Sequence, residues 1–243
     1  MSPYEAAALR KELNSRSQSR VQAHWDAYLK GNAEFLGVPM AGVRATVNSL
    51  WDSGLSDLPT TDQREIFTRW ARQPYTEERL AAVLLLAEHV MPALSDDDLE
   101  RLEEPLVSGV FADWHIVDWY STKVMSAYVA GGDRTLRSDT VLDWADAPAL
   151  WQRRAAVVSF VPHAKQPREF RQDLPERLLI ACDGNINASP ERFAHTGVGW
   201  VLREMSVAEP TLVADYVAER PQLTSEARRM ATARLRPGPY RRR

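Results

Sequence analysis

Cysteine, glycine and long apolar runs are all scarce in this 243-residue chain, and each scarcity removes a class of protein. A single cysteine, Cys182, rules out an intramolecular disulfide and any zinc or iron–sulfur site built from several cysteines of one chain. The five histidines show no HxxxH or comparable ligand spacing, so neither a metal nor another cofactor is expected. No stretch approaches the roughly 20 apolar residues that span a bilayer. The opening MSPYEAAALRKEL is polar and charged, so neither a membrane span nor a signal peptide is expected, and the expected compartment is the cytoplasm. Phosphate loops ending in Gly-Lys-Ser/Thr, GxGxxG turns and GxSxG elbows are missing too, which removes the common nucleotide-binding and serine-hydrolase signatures.

What remains is helical. Glycine numbers only 11, alternating strand patterns are hard to find, and apolar residues recur at spacings of three and four almost throughout. This periodicity predicts helices at about 4–15, 18–30, 40–54, 61–73, 77–91, 96–107, 113–130, 138–144, 147–161, 169–181, 189–206, 209–219 and 224–234. Thr60-Thr61, Thr76 and Ser189-Pro190-Glu191 read as helix starts. Pro74, Pro92, Gly131-Gly132, Pro162, Gly184 and Pro210 read as breaks. The helices fall into pairs of roughly 35–45 residues, the period of HEAT-like repeats. A closed bundle is the competing architecture. The extended array is favoured because no segment is apolar all round, as a central bundle helix would be. The expected organisation is one HEAT-like domain over 1–236 followed by a basic tail at 237–243.

The net charge of −3 hides an uneven distribution. Arg220 to Arg243 holds eight arginines and one glutamate, whereas Glu88 to Glu104 is strongly acidic. Local patches, more than the sum, decide whether a phosphate backbone is bound.

Three segments carry candidate chemistry. In DWHIVDWYSTKVMSAYV, Val117, Tyr120, Val124 and Tyr128 form the core stripe, and Trp114 and Asp118 share one shoulder of it, four residues apart. His115 is expected in solvent or in the first turn, and Trp119, nearly opposite the stripe, against a neighbouring repeat. Asp118 is then either a surface charge or a carboxylate whose field is strengthened by partly dry surroundings. In LWQRRAAVVSFV, Arg153 reads as solvated. Arg154 falls inside the apolar stripe of Leu150, Val157 and Val161, so it must find a carboxylate, backbone carbonyls or a phosphate. In ERFAHTGVGWVLREMS the buried face is Val198, Val201, Leu202 and Met205. Trp200 lies about 200° from Val198, with Phe193 and Arg203 on the same far face, which suits either a ligand surface or packing against the next repeat. A carboxylate between aromatic faces with a cation nearby suits a sugar that becomes positively charged.

WHIVDW, WQRRAAVVSF and GVGWVLREMS, in that order, resemble the AlkD-like family of HEAT-repeat DNA alkylation repair glycosylases. YLKGNAEFLGVPMAGVR and WARQPYTEERLAAVLLL resemble that family's entry segment and second repeat, so the likeness spans roughly 20–220. It implies an all-α, C-shaped α-solenoid with duplex DNA in a concave groove. It also implies that Trp114, Asp118 and Trp200 surround the target deoxyribose as the catalytic set, and that Arg154 contacts the backbone beside them. Tyr28 and Lys30 match the entry segment and would touch neighbouring backbone, and Arg203 is a further DNA-binding candidate. The family's usual Trp-Trp-Asp-x-Val-Asp becomes Asp113-Trp114-His115-Ile116-Val117-Asp118 here, with the first Trp lost and an acid replaced by His115. The implied activity is hydrolysis of the N-glycosidic bond of cationic N3- or N7-alkylpurines in double-stranded DNA, without base flipping, by a monomer. A non-catalytic DNA-binding HEAT paralogue and a peptide-binding scaffold are the rival readings, the latter because Trp and Arg are frequent interface anchors.

Overall fold

The computed structural model describes residues 6–29, 33–188 and 190–235. Lys30 and the basic tail at 237–243 lie outside the described residues. The fold is all-α: among the described residues the extended pairing is limited to one isolated bridge between Glu34 and Tyr75. Helices pack mainly on their near neighbours in sequence, as in an α-solenoid. No described helix is long and apolar enough to cross a membrane. The chain divides into two compact units, at 1–111 and 112–243.

The first unit contains α1 (Ala6–Asn14), α2 (Ser19–Leu29), α3 (Met40–Asp52), α4 (Thr60–Ala71), α5 (Thr76–Leu85) and α6 (Leu99–Val107). α5 is its centre, packed on α1, α3 and α4, and Leu80 through Leu86 are all buried. Two adjacent carboxylates at its start organise the surrounding chain. Glu77, 2% exposed, accepts the backbone N–H groups of Leu36 (3.0 Å), Gly37 (2.8 Å) and Val38 (3.0 Å). Three donors that would otherwise be stranded in the interior are thereby satisfied. Glu78 takes a two-pronged contact from Arg10 at 2.9 and 3.0 Å and accepts the N–H of Tyr75 at 3.3 Å. Thr76 is thus the first helical residue and not the cap expected from sequence; the helix start is secured by Glu78 reaching back. The motifs FLGV and P-x-x-E are one structural device, a loop hung on a buried glutamate.

The second unit begins with α7 (Trp114–Tyr120), which passes through a wide π-turn at Ser121–Met125 into α8 (Ser126–Ala130). There follow α9 (Arg134–Asp143), α10 (Leu150–Val158), α11 (Pro167–Phe170), α12 (Leu174–Ala188), α13 (Arg192–Met205), α14 (Pro210–Glu219) and α15 (Ser225–Thr232). α10 lies against α7, α9, α12 and α13, and α13 packs on α15. The helix expected at 169–181 is displaced: a four-residue α11 ends at Phe170, and α12 runs on to Ala188. Gly184, read as a break, lies inside α12, where an added Cβ would stand 2.6 Å from Asp146 Oδ1 and 3.3 Å from the Ala145 carbonyl. It is there for close packing of the 144–146 turn. The helix expected at 138–144 starts earlier, at Arg134, because Asp133 caps it by accepting the N–H of Leu136 at 3.0 Å.

Candidate functional site

α7 starts where it does because Asp113 Oδ1 accepts the N–H of Ile116 at 3.0 Å. That cap fixes the helix register, which buries Ile116, Val117 and Tyr120 and leaves Trp114 and Asp118 half-buried on the shoulder. His115 lies in the first turn of α7, one of its two expected places, and at 8% exposed it is not solvated; its ring is edge-on to Trp114 at 5.9 Å.

The central feature is an ion pair. Arg154 on α10 donates from Nε to Asp118 Oδ1 at 2.7 Å and from Nη2 to Oδ2 at 2.9 Å. Its Nη1 donates to the Phe193 carbonyl at 2.7 Å and to Thr196 Oγ1 at 3.1 Å. The side chains are only 5% and 14% exposed for Arg154 and Asp118 respectively. This fork geometry fixes both the position and the plane of the carboxylate. Of the partners open to Arg154 in the sequence, a carboxylate and a backbone carbonyl are both taken. The backbone-phosphate contact implied for this side chain would fall to the one Nη2 N–H that these four bonds leave. Arg153, expected in solvent, is 5% exposed and donates from Nη1 to the carbonyls of Ala147 (2.9 Å) and Pro148 (2.7 Å), bracing the turn before α10.

The motif GVGW is explained by the same pair. An added Cβ at Gly197 would stand 3.3 Å from Arg154 Cγ and 3.4 Å from Nη1. At Gly199 it would stand 2.8 Å from the carbonyl oxygen of Ala227 and 2.9 Å from that residue's Cα. One glycine makes room for the guanidinium and the other for the backbone of α15.

Trp114, Asp118 and Trp200 line one open cavity of about 240 Å³. Trp119, Thr122 and Lys123 complete it, beside His115. Trp119 therefore faces the cavity instead of a neighbouring repeat as expected. Thr122 Oγ1 donates to the Asp118 carbonyl at 2.7 Å, at the point where the π-turn disrupts the regular ladder. Lys123 holds its Nζ 5.9 Å from the centre of the Trp119 ring. Among the described residues, no group of three or more His, Cys, Asp or Glu side chains could hold a metal ion.

Phe193 and Arg203 do not line this cavity. Phe193 packs its ring on Trp151 at 5.3 Å and lends only its carbonyl to the site. Arg203 is one-third exposed and pairs with the buried Glu204 at 2.9 Å. Glu204 also takes Arg234, so much of the arginine charge here is compensated. Tyr28 belongs to the first unit; it is 57% exposed on α2 and lies parallel to His24 at 6.3 Å.

A family model described as DNA alkylation repair enzyme matches residues 9–235. Among solved structures, a predicted DNA alkylation repair enzyme from Enterococcus faecalis shares the fold with a TM-score of 0.77. It is 20% identical, over 92% of this chain and 98% of that one. Comparison with curated proteins finds no match.

Proposed function

Because the chain belongs to the DNA alkylation repair enzyme family, we propose that it is a DNA glycosylase that removes cationic N3- or N7-alkylpurines from duplex DNA by hydrolysis. The observation that carries this reading is the Asp118 carboxylate, held by Arg154 at the edge of a cavity walled by Trp114, Trp119 and Trp200. An alkylated purine already carries the positive charge that makes it a good leaving group, so one carboxylate suffices where ordinary glycoside hydrolysis uses two. Departure of the base builds an oxocarbenium-like sugar. Asp118 faces that charge and orients water towards it.

Magnitudes favour a real but moderate effect. A carboxylate about 4 Å from the developing cation attracts it by roughly 4 kcal/mol at an effective dielectric near 20. The paired guanidinium, some 4 Å further back, offsets about 2 kcal/mol of this on the same scale. The remaining ~2 kcal/mol corresponds to about 30-fold in rate. Tryptophan faces add roughly 0.5–2 kcal/mol each by cation–π attraction. The cavity, about 240 Å³, is smaller than the roughly 300–1,000 Å³ of ordinary small-molecule pockets. That size supports contact with the sugar over enclosure of a flipped base, and hence selection by bond lability with tolerance of bulky adducts.

The test is release of free base from duplex DNA containing 7-methylguanine, with the parent chain and Asp118→Asn. Release is expected from the parent, falling at least about 30-fold in the variant by the arithmetic above, with duplex binding retained. Equal turnover would remove Asp118 from the chemistry. Intact duplex binding with no release by the parent from 7-methylguanine or a bulkier N7 adduct would leave a non-catalytic binder.

A further inference from the structure

Resting on the DNA-binding reading above, we infer that Lys123 is the phosphate-contacting residue of the cavity, a part that the family resemblance implies for Arg154. An ideal α-helix would put position 123 about 140° around from position 118. The π-turn at Ser121–Met125 widens the helix, and Lys123 reaches the cavity that Asp118 lines. The two cations of the site are then in opposite states. Arg154 is buried, with four hydrogen bonds spent on Asp118, Phe193 and Thr196. Lys123 is exposed, and its ammonium has no carboxylate partner among the described residues; the ring of Trp119 supports it at 5.9 Å. A solvated point charge at the mouth of a cavity holding a sugar is suited to the adjoining phosphodiester. There it fixes register without reading sequence.

The experiment is binding of the full chain to an undamaged duplex by fluorescence anisotropy across a salt series, for the parent, Lys123→Gln, Lys123→Arg and Asp118→Asn. Each phosphate contact contributes about 0.9 to the slope of log K against log salt. Lys123→Gln should therefore reduce that slope by about 0.9, so a fourfold rise in salt costs it about 3.5-fold less affinity than it costs the parent. Lys123→Arg should restore the slope, and Asp118→Asn should leave it unchanged. A parental slope in Lys123→Gln overturns the assignment while leaving the DNA reading intact. A parent with no salt-sensitive duplex binding overturns both. Single-turnover excision gives a second readout: the enzyme concentration at half-maximal rate should rise in Lys123→Gln and return towards the parental value in Lys123→Arg. A parental concentration dependence in Lys123→Gln would overturn the assignment.

Discussion

Replacing Asp118 and Arg154 by alanine, singly and together, tests whether the buried pair is what shapes the site. Asp118→Ala leaves a guanidinium that is 5% exposed with only a carbonyl and a hydroxyl as partners. Arg154→Ala leaves a carboxylate that is 14% exposed and strips both of its charged hydrogen bonds. Removing one member of a buried pair costs about 3–5 kcal/mol, mainly because the survivor is a desolvated charge. Independent effects would sum to roughly 6–10 kcal/mol in the double variant. No charge is stranded there, so the expected cost is close to that of one single change, a coupling of about 3–5 kcal/mol. Urea unfolding followed by tryptophan fluorescence, with m compared among the four proteins, measures each corner of the cycle. Additivity within about 0.5 kcal/mol would refute the argument, because it would mean that neither charge depends on the other.

Two further predictions concern the surroundings. Glu77→Ala strands three interior N–H groups, at Leu36, Gly37 and Val38; at about 1–3 kcal/mol each, the first unit should lose at least ~3 kcal/mol, read from the denaturation midpoint. Burial holds the His163 imidazole below its ordinary value, helped by nearby Arg134 and opposed by a hydrogen bond to the Ser126 carbonyl. The unfolded chain then binds the proton more readily. Stability is full above the unfolded value, near pH 6.5, and is lost as pH falls from there through the folded value. His163→Gln should flatten that part of a stability–pH curve, and an unchanged curve would count against the burial argument.

The parts legible in sequence are those written within one helix. The i to i+4 pairing of Trp114 and Asp118, the outward Trp200 and the burial of Arg154 all follow from a 100° step, and each stands as expected. What sequence did not supply lies between helices or breaks the step. Arg154 was known to need a partner, but that it is Asp118, 36 residues away on another helix, is a tertiary fact. The π-turn has no strong signature in STKVM. An unbroken 100° step therefore sends Lys123 away from Asp118, although both line the cavity. Polarity alone puts Arg153 in solvent and His115 either there or in the first turn of its helix; His115 is in that turn, and packing from neighbouring elements buries both. The misplacement of α12 has a local cause: Pro167 and Pro175 are both good helix-start residues, and Gly184 inside the helix mimics an end.

The two glycines of GVGW separate packing from function within one motif. Each sits in the middle of α13, where Gly costs about 1 kcal/mol relative to Ala, so alanine would be favoured at both positions on propensity alone. Gly199→Ala puts a methyl against the backbone of Ala227 at 2.8–2.9 Å, and backbone does not yield readily. The helices α13 and α15 must separate, and overpacking of about 1–3 kcal/mol should outweigh the propensity gain. Gly197→Ala meets only a side chain, at 3.3–3.4 Å, so Arg154 need move by a few tenths of an ångström and net stability should change by less than about 1 kcal/mol. That small movement acts on the group that aims the Asp118 carboxylate. Catalytic geometry is sensitive enough that a displacement of about 1 Å costs on the order of 100-fold. A few tenths should therefore lower excision several-fold in a protein that melts like the parent. If Gly197→Ala instead excised 7-methylguanine at the parental rate with parental stability, the placement of Arg154 would not be tuned for catalysis. The glycine would then record nothing beyond the space an arginine needs.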